Sequence, residues 1–231
     1  MIESKPWNWK KVDNEDEKNI WREPSMETYY LADRWTRQKK KQFLDIGCGL
    51  GRHTIFFAKK GFNVSSIDLS KDAIEETKKW AQKENIKIES IINCDMLDIP
   101  YQDNSFDCIL CRNVISHTDT EGMKKIINKI FNLLKENGEC FLTLGSKNAS
   151  TYKDKNNPKI DKNTAIRMDE GPEKGVPHFY ADMEIIPELF KDFSIEYIAQ
   201  VQDFKQVGTE FKSFWHYLLL IRKKFVSEPL I

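Results

Sequence analysis

Apolar positions along this chain follow two periods. Short apolar runs at 42–46, 62–67, 86–92, 105–111 and 140–144 have the length of strands. Helical spacing fills the gaps between them. Residues 51–60 form the first of these helices, which Gly61 ends. Ser70 can cap the next, with Asp72 in its first turn and Ala73, Ile74, Thr77 and Trp80 on one face. The stretch 120–136 places Met123, Ile126, Ile127, Ile130, Leu133 and Leu134 on one face, with Asn137-Gly138 as a stop. Strands alternating with helices imply a mostly parallel sheet covered on both faces. Two further strands are predicted near 193–200 and 211–222.

The flanking segments do not fit this alternation. Residues 1–40 are an aromatic-rich extension with Trp7, Trp9, Trp21, Tyr29, Tyr30 and Trp35. Within it, Pro24 is a break and Ser25 can cap a helix running towards Trp35. After the fifth strand comes a long polar stretch interrupted by Pro158, Pro172 and Pro177. So long a structureless loop is unusual in a compact domain, so it either holds short elements or works as a lid. The chain therefore reads as one α/β domain: a helical cap at 1–40, a ligand-binding half at 41–145, an insertion at 146–181, and a C-terminal helix and strands at 182–231.

Composition narrows the class of protein. The 231 residues suffice for one domain with a sizeable core. Lys+Arg and Asp+Glu both number 36, which argues against a broad nucleic-acid footprint. Lysine predominates over arginine, the residue favoured for bidentate grip on bases and phosphates. The start of the chain lacks the apolar stretch of a signal peptide, and the most apolar segment, 214–221, is too short to span a bilayer. A cytoplasmic protein is expected. An odd count of 5 cysteines fits a reducing compartment. Cys108-x-x-Cys111 has the spacing of half a zinc site. However, residues three apart on a strand point to opposite faces, so the pair reads as core thiols and no metal site is predicted.

The chemistry is concentrated in residues 43–70, FLDIGCGLGRHTIFFAKKGFNVSSIDLS. A strand ends in Asp45, then Gly47, Gly49 and Gly51 recur at every second position, a helix follows, and a second strand ends in Asp68. A glycine loop between strand and helix lets backbone N–H groups approach a ligand. An acid at the next strand end can accept from two ribose hydroxyls. The spacing is not the G-x-G-x-x-G that cradles a pyrophosphate, so NAD is not expected to bind. The tighter, acidic loop suits a cationic or zwitterionic nucleoside.

In these residues the chain resembles the class I S-adenosylmethionine-dependent methyltransferases, whose first motif is D-x-G-x-G-x-G. The likeness extends to the small-molecule branch, including tellurite-resistance and ubiquinone-type enzymes. It implies a Rossmann-like, doubly wound, mostly parallel seven-stranded sheet with an antiparallel edge strand. It implies S-adenosylmethionine as donor and S-adenosylhomocysteine as product. Cofactor contacts are implied for Asp45, Gly47, Cys48, Gly49 and Gly51, for Asp68 and Leu69, and for Asp95 and Met96 at the adenine. Arg112 and Asn113 after the fourth strand, and Tyr30 from the cap, complete that set.

The segment Arg112-Asn113-Val114-Ile115-Ser116-His117 lacks the Asp/Asn-Pro-Pro-aromatic motif of amino-directed DNA methylation and the Pro-Cys of cytosine C5 chemistry. A small-molecule acceptor is therefore expected, with His117 and His178 as candidate acceptor contacts and His53 and His216 as structural residues. Two other functions stay open: methylation of protein or RNA, supported by the lysine runs, and a non-catalytic sensor that binds the same nucleoside. Monomer and homodimer also stay open. Residues 21–35 and 146–181 are expected to close over the cofactor, with aromatic faces near its sulfonium. The alternative for the first of these is a helix packed on the back of the sheet.

Overall fold

The computed structural model describes residues 4–9, 21–171, 173–207 and 209–224. Pro172 and the outer parts of the predicted cap and C-terminal segment lie outside those residues. The elements in chain order are α1 (Met26–Arg37), β1 (Gln42–Ile46), α2 (Arg52–Lys59), β2 (Asn63–Asp68), α3 (Lys71–Lys83), β3 (Ser90–Asn93) and β4 (Phe106–Cys111). They continue with α4 (Thr120–Leu133), β5 (Leu134–Ser146), α5 (Ser150–Lys153), β6 (Lys159–Asp161), β7 (Thr164–Ile166) and β8 (Pro177–Ala181). The last are α6 (Ile185–Leu189), β9 (Phe193–Val207) and β10 (Glu210–Lys223).

The sheet has the predicted α/β character. Strands β3, β2, β1, β4 and β5 lie side by side and parallel. Strand β10 pairs antiparallel to β5, and β9 pairs antiparallel to β10. These seven strands are the expected ones. Three more come from the polar stretch after β5, where sequence periodicity shows nothing. Strand β8 joins β5 in parallel at Gly145 and Ser146, beyond the point where β4 ends. Strands β7 and β6 then extend outward as an antiparallel pair. Strand β8 thus continues the β4 side of β5, at the carboxyl end of the sheet.

Two apolar cores pack on the two faces. One gathers Ile46, Ile109, Cys111, the apolar face of α4 and Phe190. The other gathers Leu31, Ala32 and Trp35 of α1 with Phe43, Phe57, Cys108 and Leu110. Cys108 and Cys111 therefore fall in opposite cores, as a strand's alternation requires. Helix α1 lies against the sheet through Leu31, Ala32 and Trp35, which is the alternative considered for that segment. Ser25 stands at its N-cap, but its hydroxyl faces His53 Nε2 at 3.3 Å and makes no cap bond. The cap of α3 forms as predicted, with Ala73 N–H donating to Ser70 Oγ.

Some boundaries differ from the pattern. Helix α4 stops at Leu133, because Leu134 pairs with Phe106 and starts β5. Asn137, at φ 58°, is a left-handed residue within that extended segment, not a helix stop. Strand β3 covers only Ser90–Asn93 of the predicted 86–92.

Candidate functional site

The glycine loop runs from the end of β1 into α2. Gly47, Gly49 and Gly51 have φ of 71°, 55° and 92°, a region other residues enter at a cost. Gly47 and Cys48 N–H both donate to Ile67 O, at 2.8 and 3.0 Å, which ties the loop to the end of β2. A Cβ on Gly47 would lie 2.5 Å from Val114, and one on Gly51 would lie 2.9 Å from Thr77. We expect Gly47→Ala to lose about 1–2 kcal/mol from its φ alone, with further loss from the Val114 contact. Chemical denaturation would measure it, and an unchanged midpoint would contradict this account of the loop.

Asp68 ends β2 and turns its carboxylate to the loop. Gly49 N–H donates to Oδ2 and Ser70 N–H to Oδ1, both at 2.8 Å. Gly49 is held on its other side too, since Thr77 Oγ1 donates to its carbonyl at 2.9 Å. Burial pushes the Asp68 carboxyl up, against the pull of the two N–H groups. Each Asp68 oxygen keeps lone-pair capacity for a further donor. Leu69, beside it, accepts at its carbonyl from Asn93 Nδ2, which also donates to Asp68 O. Asn93 thus fastens the ends of β2 and β3 together. Asp95 caps a single 3-10 turn through Leu97 N–H at 2.8 Å, and Met96 is buried beside it.

Asp45 lies beneath the loop and is 1% exposed. Thr54 Oγ1 donates to its Oδ2 at 2.7 Å and also meets Ser66 Oγ at 2.8 Å. Burial, opposed by the Thr54 bond, pushes the Asp45 carboxyl up to about 7. Two acids therefore stand in poorly solvated positions at one loop, an arrangement that favours a cation nearby.

Arginines face the site from β4 and α2. The Arg112 side chain is 12% exposed, its Nη2 lies 3.6 Å from Glu27 of α1, and its guanidinium meets Asn113 Oδ1. Its Nε is buried without a hydrogen-bond partner among the described residues. Burial and then Arg112 bring the Arg52 guanidinium down to about 10. Asn113, at φ 59°, is fixed by its N–H to Thr143 Oγ1 at 2.8 Å. Tyr30 is not brought to this group. It is 56% exposed, one turn along α1 from Glu27, and its hydroxyl pairs with Arg34.

The two candidate histidines do come together. Phe179 N–H donates to Ser116 O at 2.8 Å, which locks β8 against the segment after β4. The rings of His117 and His178 stand edge to face with centroids 4.7 Å apart. Glu173, from the turn between β7 and β8, joins them, with 3.6 Å from Oε1 to His117 Nε2 and from Oε2 to His178 Nε2. Arg167 Nη1 donates to Glu173 Oε2 at 3.0 Å. Burial opposes the Glu173 charge, but the nearby His117 and His178 rings prevail and hold its carboxyl far below the usual range. Burial pushes His117 down, towards the neutral ring.

The sequence reading missed Glu173, Asn93, Arg52 and Trp9. Trp9 lies on the loop, where a Cβ on Gly49 would be 3.0 Å from its ring. Its ring meets Trp7 and Trp21 with centroids 4.4 and 5.9 Å away. Arg52 sits over Trp21 at 5.0 Å. Glycines at 171 and 175 mark the turn that holds Glu173, but no spacing in the sequence relates it to His117.

A family model described as "Methyltransferase domain" matches residues 43–138. The crystal structure of an S-adenosylmethionine-dependent methyltransferase from Methanosarcina mazei superposes with TM-score 0.65 at 20% identity, covering 79% of this chain and 92% of that one. The ubiquinone biosynthesis O-methyltransferase of Rickettsia typhi is 31% identical over 113 residues, 49% of this chain and 44% of the relative. Residues 43–138 match a methyltransferase domain, and the chain is similar there to the class I S-adenosylmethionine-dependent methyltransferases, whose fold it shares. A third similar protein, magnesium protoporphyrin IX methyltransferase of Synechocystis with bound S-adenosylmethionine, has TM-score 0.57 at 15% identity, covering 92% of this chain and 84% of that one. The matched region spans about half the length of the curated relatives. The methyltransferase family model ends at residue 138, within β5, so Glu173 and His178 lie outside it.

Proposed function

We propose that this chain transfers a methyl group from S-adenosylmethionine to a small-molecule acceptor. The observation that carries the reading is Asp68, held by Gly49 and Ser70 N–H at the mouth of the glycine loop. The residues fit the donor. Asp68 retains acceptor capacity for a ribose diol, and the three left-handed glycines let the loop backbone turn tightly against Val114, Trp9 and Thr77. The unpartnered Arg112 Nε offers a donor to a carboxylate. The acids Asp45 and Asp68 favour a cationic ligand. When bound, the donor supplies an already activated methyl group. The chain's own part is then proximity and orientation, which can reach about 7–11 kcal/mol. A base is needed only for a protonated acceptor, and His117, which burial pushes towards the neutral ring, is the candidate for it.

The small-molecule assignment is supported by the names of the Rickettsia and Synechocystis relatives and by the enclosed histidine cluster. A cytoplasmic setting is supported by five cysteines that are all free. No described helix is long and apolar enough to cross a membrane. The test is formation of S-adenosylhomocysteine with a panel of metabolites, protein and RNA. Turnover with a metabolite supports the reading. Turnover only with protein or RNA would move the acceptor class, and binding without turnover would leave a sensor.

The aromatic cover belongs to the same proposal. Trp9 lies against the loop with Trp7 and Trp21 packed on it, and a Cβ on Gly175 of the β7–β8 turn would be 3.3 Å from Lys5 Nζ. The segment that carries Trp7 and Trp9 therefore reaches the β7–β8 turn. A ligand entering at Gly49 must move or repack the Trp9 ring. Titration with S-adenosylhomocysteine is expected to change tryptophan fluorescence, and Trp9→Phe to remove most of that change. An equal change in the variant would make Trp9 a bystander.

A further inference from the structure

We propose that His117, Glu173 and His178 form a binding site for one divalent transition-metal ion, Zn²⁺ or another imidazole-preferring ion. This departs from the sequence reading, which names no metal ligand. The three ligand atoms, one from each residue, lie within 4.8 Å of one another. Donors held about 2.0–2.2 Å from a shared ion lie about 3–3.5 Å apart, so the two 3.6 Å separations, one to each Glu173 oxygen, need a small contraction and the widest separation, up to 4.8 Å, a larger one.

The hydrogen bonding of His178 makes the case more specific. Its Nδ1 is 3.0 Å from Val176 O. A carbonyl can only accept, so Nδ1 carries the proton. In the neutral ring, Nε2 then presents a lone pair to Glu173 Oε2 at 3.6 Å. That distance is too long for a good hydrogen bond. A cation between the two atoms removes the mismatch. A ring N–H given to a backbone carbonyl is also the usual outer contact of a metal-ligating histidine. Arg167 occupies part of Glu173 Oε2 and bonds Asp169 as well, so it can steady the carboxylate from outside the site.

The fold prepares the cluster. Strand β8 extends the β4 side of β5, and the bond from Phe179 N–H to Ser116 O sets the two histidines next to each other. Two imidazoles and one carboxylate favour zinc or a similar ion over Mg²⁺ or Ca²⁺, which prefer oxygen donors throughout. Three protein ligands leave the remaining positions for water or for an oxygen of the acceptor. That last role rests on the methyl-transfer reading, whereas ion binding does not.

The experiment uses the whole chain, dialysed against chelator and then titrated with Zn²⁺ and with Co²⁺, whose visible spectrum reports nitrogen and oxygen ligands. S-adenosylhomocysteine binding is measured on the same samples. The expected result is one ion per chain, with Mg²⁺ failing to compete. Glu173→Gln and His178→Ala are each expected to weaken the ion by about 100-fold or more. Both should still bind S-adenosylhomocysteine. If His178→Ala unfolds by circular dichroism, His178→Gln replaces it. Wild-type protein that binds S-adenosylhomocysteine but no ion would overturn the proposal, as would undiminished ion binding in the folded variants. Ion binding without S-adenosylhomocysteine binding would leave the metal site standing and remove the methyl-transfer reading instead.

Discussion

Asp68→Ala is expected to weaken S-adenosylmethionine and S-adenosylhomocysteine by about 10²–10⁴-fold. Two ribose hydroxyls donating to a carboxylate contribute about 1.5–3 kcal/mol each, and each 1.4 kcal/mol is roughly a factor of ten. The substitution has a second effect. Asp68 also holds Gly49 and Ser70 N–H, so its removal frees the loop that the ligand would otherwise find already shaped. Asp68→Asn separates the two effects. It keeps one acceptor oxygen, but its amide group opposes one of the two N–H donors. It should retain most of the fold and still lose most of the affinity. Calorimetry with S-adenosylhomocysteine decides the matter, with a thermal melt to show that each variant is folded. An Asp68→Ala affinity within about threefold of wild type would remove the ribose-acid assignment, since even one such bond is worth more.

The glycine loop and the acid beside it were legible because their signals are local. The loop, the two strand ends and Asp68 all fall within 43–70, and each follows from backbone needs: left-handed turns at Gly47, Gly49 and Gly51, and an acceptor at a strand end. Cys108 and Cys111 were legible for the same reason, through the alternation of a single strand. Tyr30 carries no such local signal, because α1 is oriented by Leu31, Ala32 and Trp35, and their burial leaves Tyr30 largely exposed. The stretch after β5 hid its strands for another reason. Strands β6 and β7 have three residues each, too few for a period. Polar bonds build that hairpin. Asp161 accepts from Thr120, Asn163 and Thr164, which fastens it to the start of α4. Glu173 reaches His117 only through that hairpin and β8, so no reading of spacing could have paired them.

Arg34→Met is expected to destabilise the fold by about 3 kcal/mol, at the lower end of the range for breaking a buried ion pair. Glu139, within β5, is a charged residue only 1% exposed. It accepts from Arg34 Nε and Nη2 at 2.9 and 2.7 Å, from Trp35 Nε1 at 2.9 Å and from Gln38 Nε2 at 3.3 Å. All three donors come from the end of α1, so this one carboxylate fixes how the helix lies on the sheet. Arg34 is 22% exposed, which places the cost low in the range. For a chain of this size the melting temperature should fall by about 6–12 °C. Replacing both partners, in Arg34→Met with Glu139→Leu, should recover much of the loss, because the penalty lies mainly in the charge left buried alone. The pH dependence follows from the same contacts. Burial works against the Glu139 charge, but the bonds from Arg34 and Trp35 prevail and hold its carboxyl below the ordinary 4.5. Its contribution is therefore fully present above about pH 4.5 and is lost as the pH falls through the lower folded value. Denaturant titrations at pH 7 and pH 4 would show the wild type losing stability on acidification and Arg34→Met losing less of it. A wild type and variant that differ by under about 0.5 kcal/mol at pH 7 would mean that apolar contacts alone hold α1, and that Glu139 is satisfied by Trp35, Gln38 and solvent.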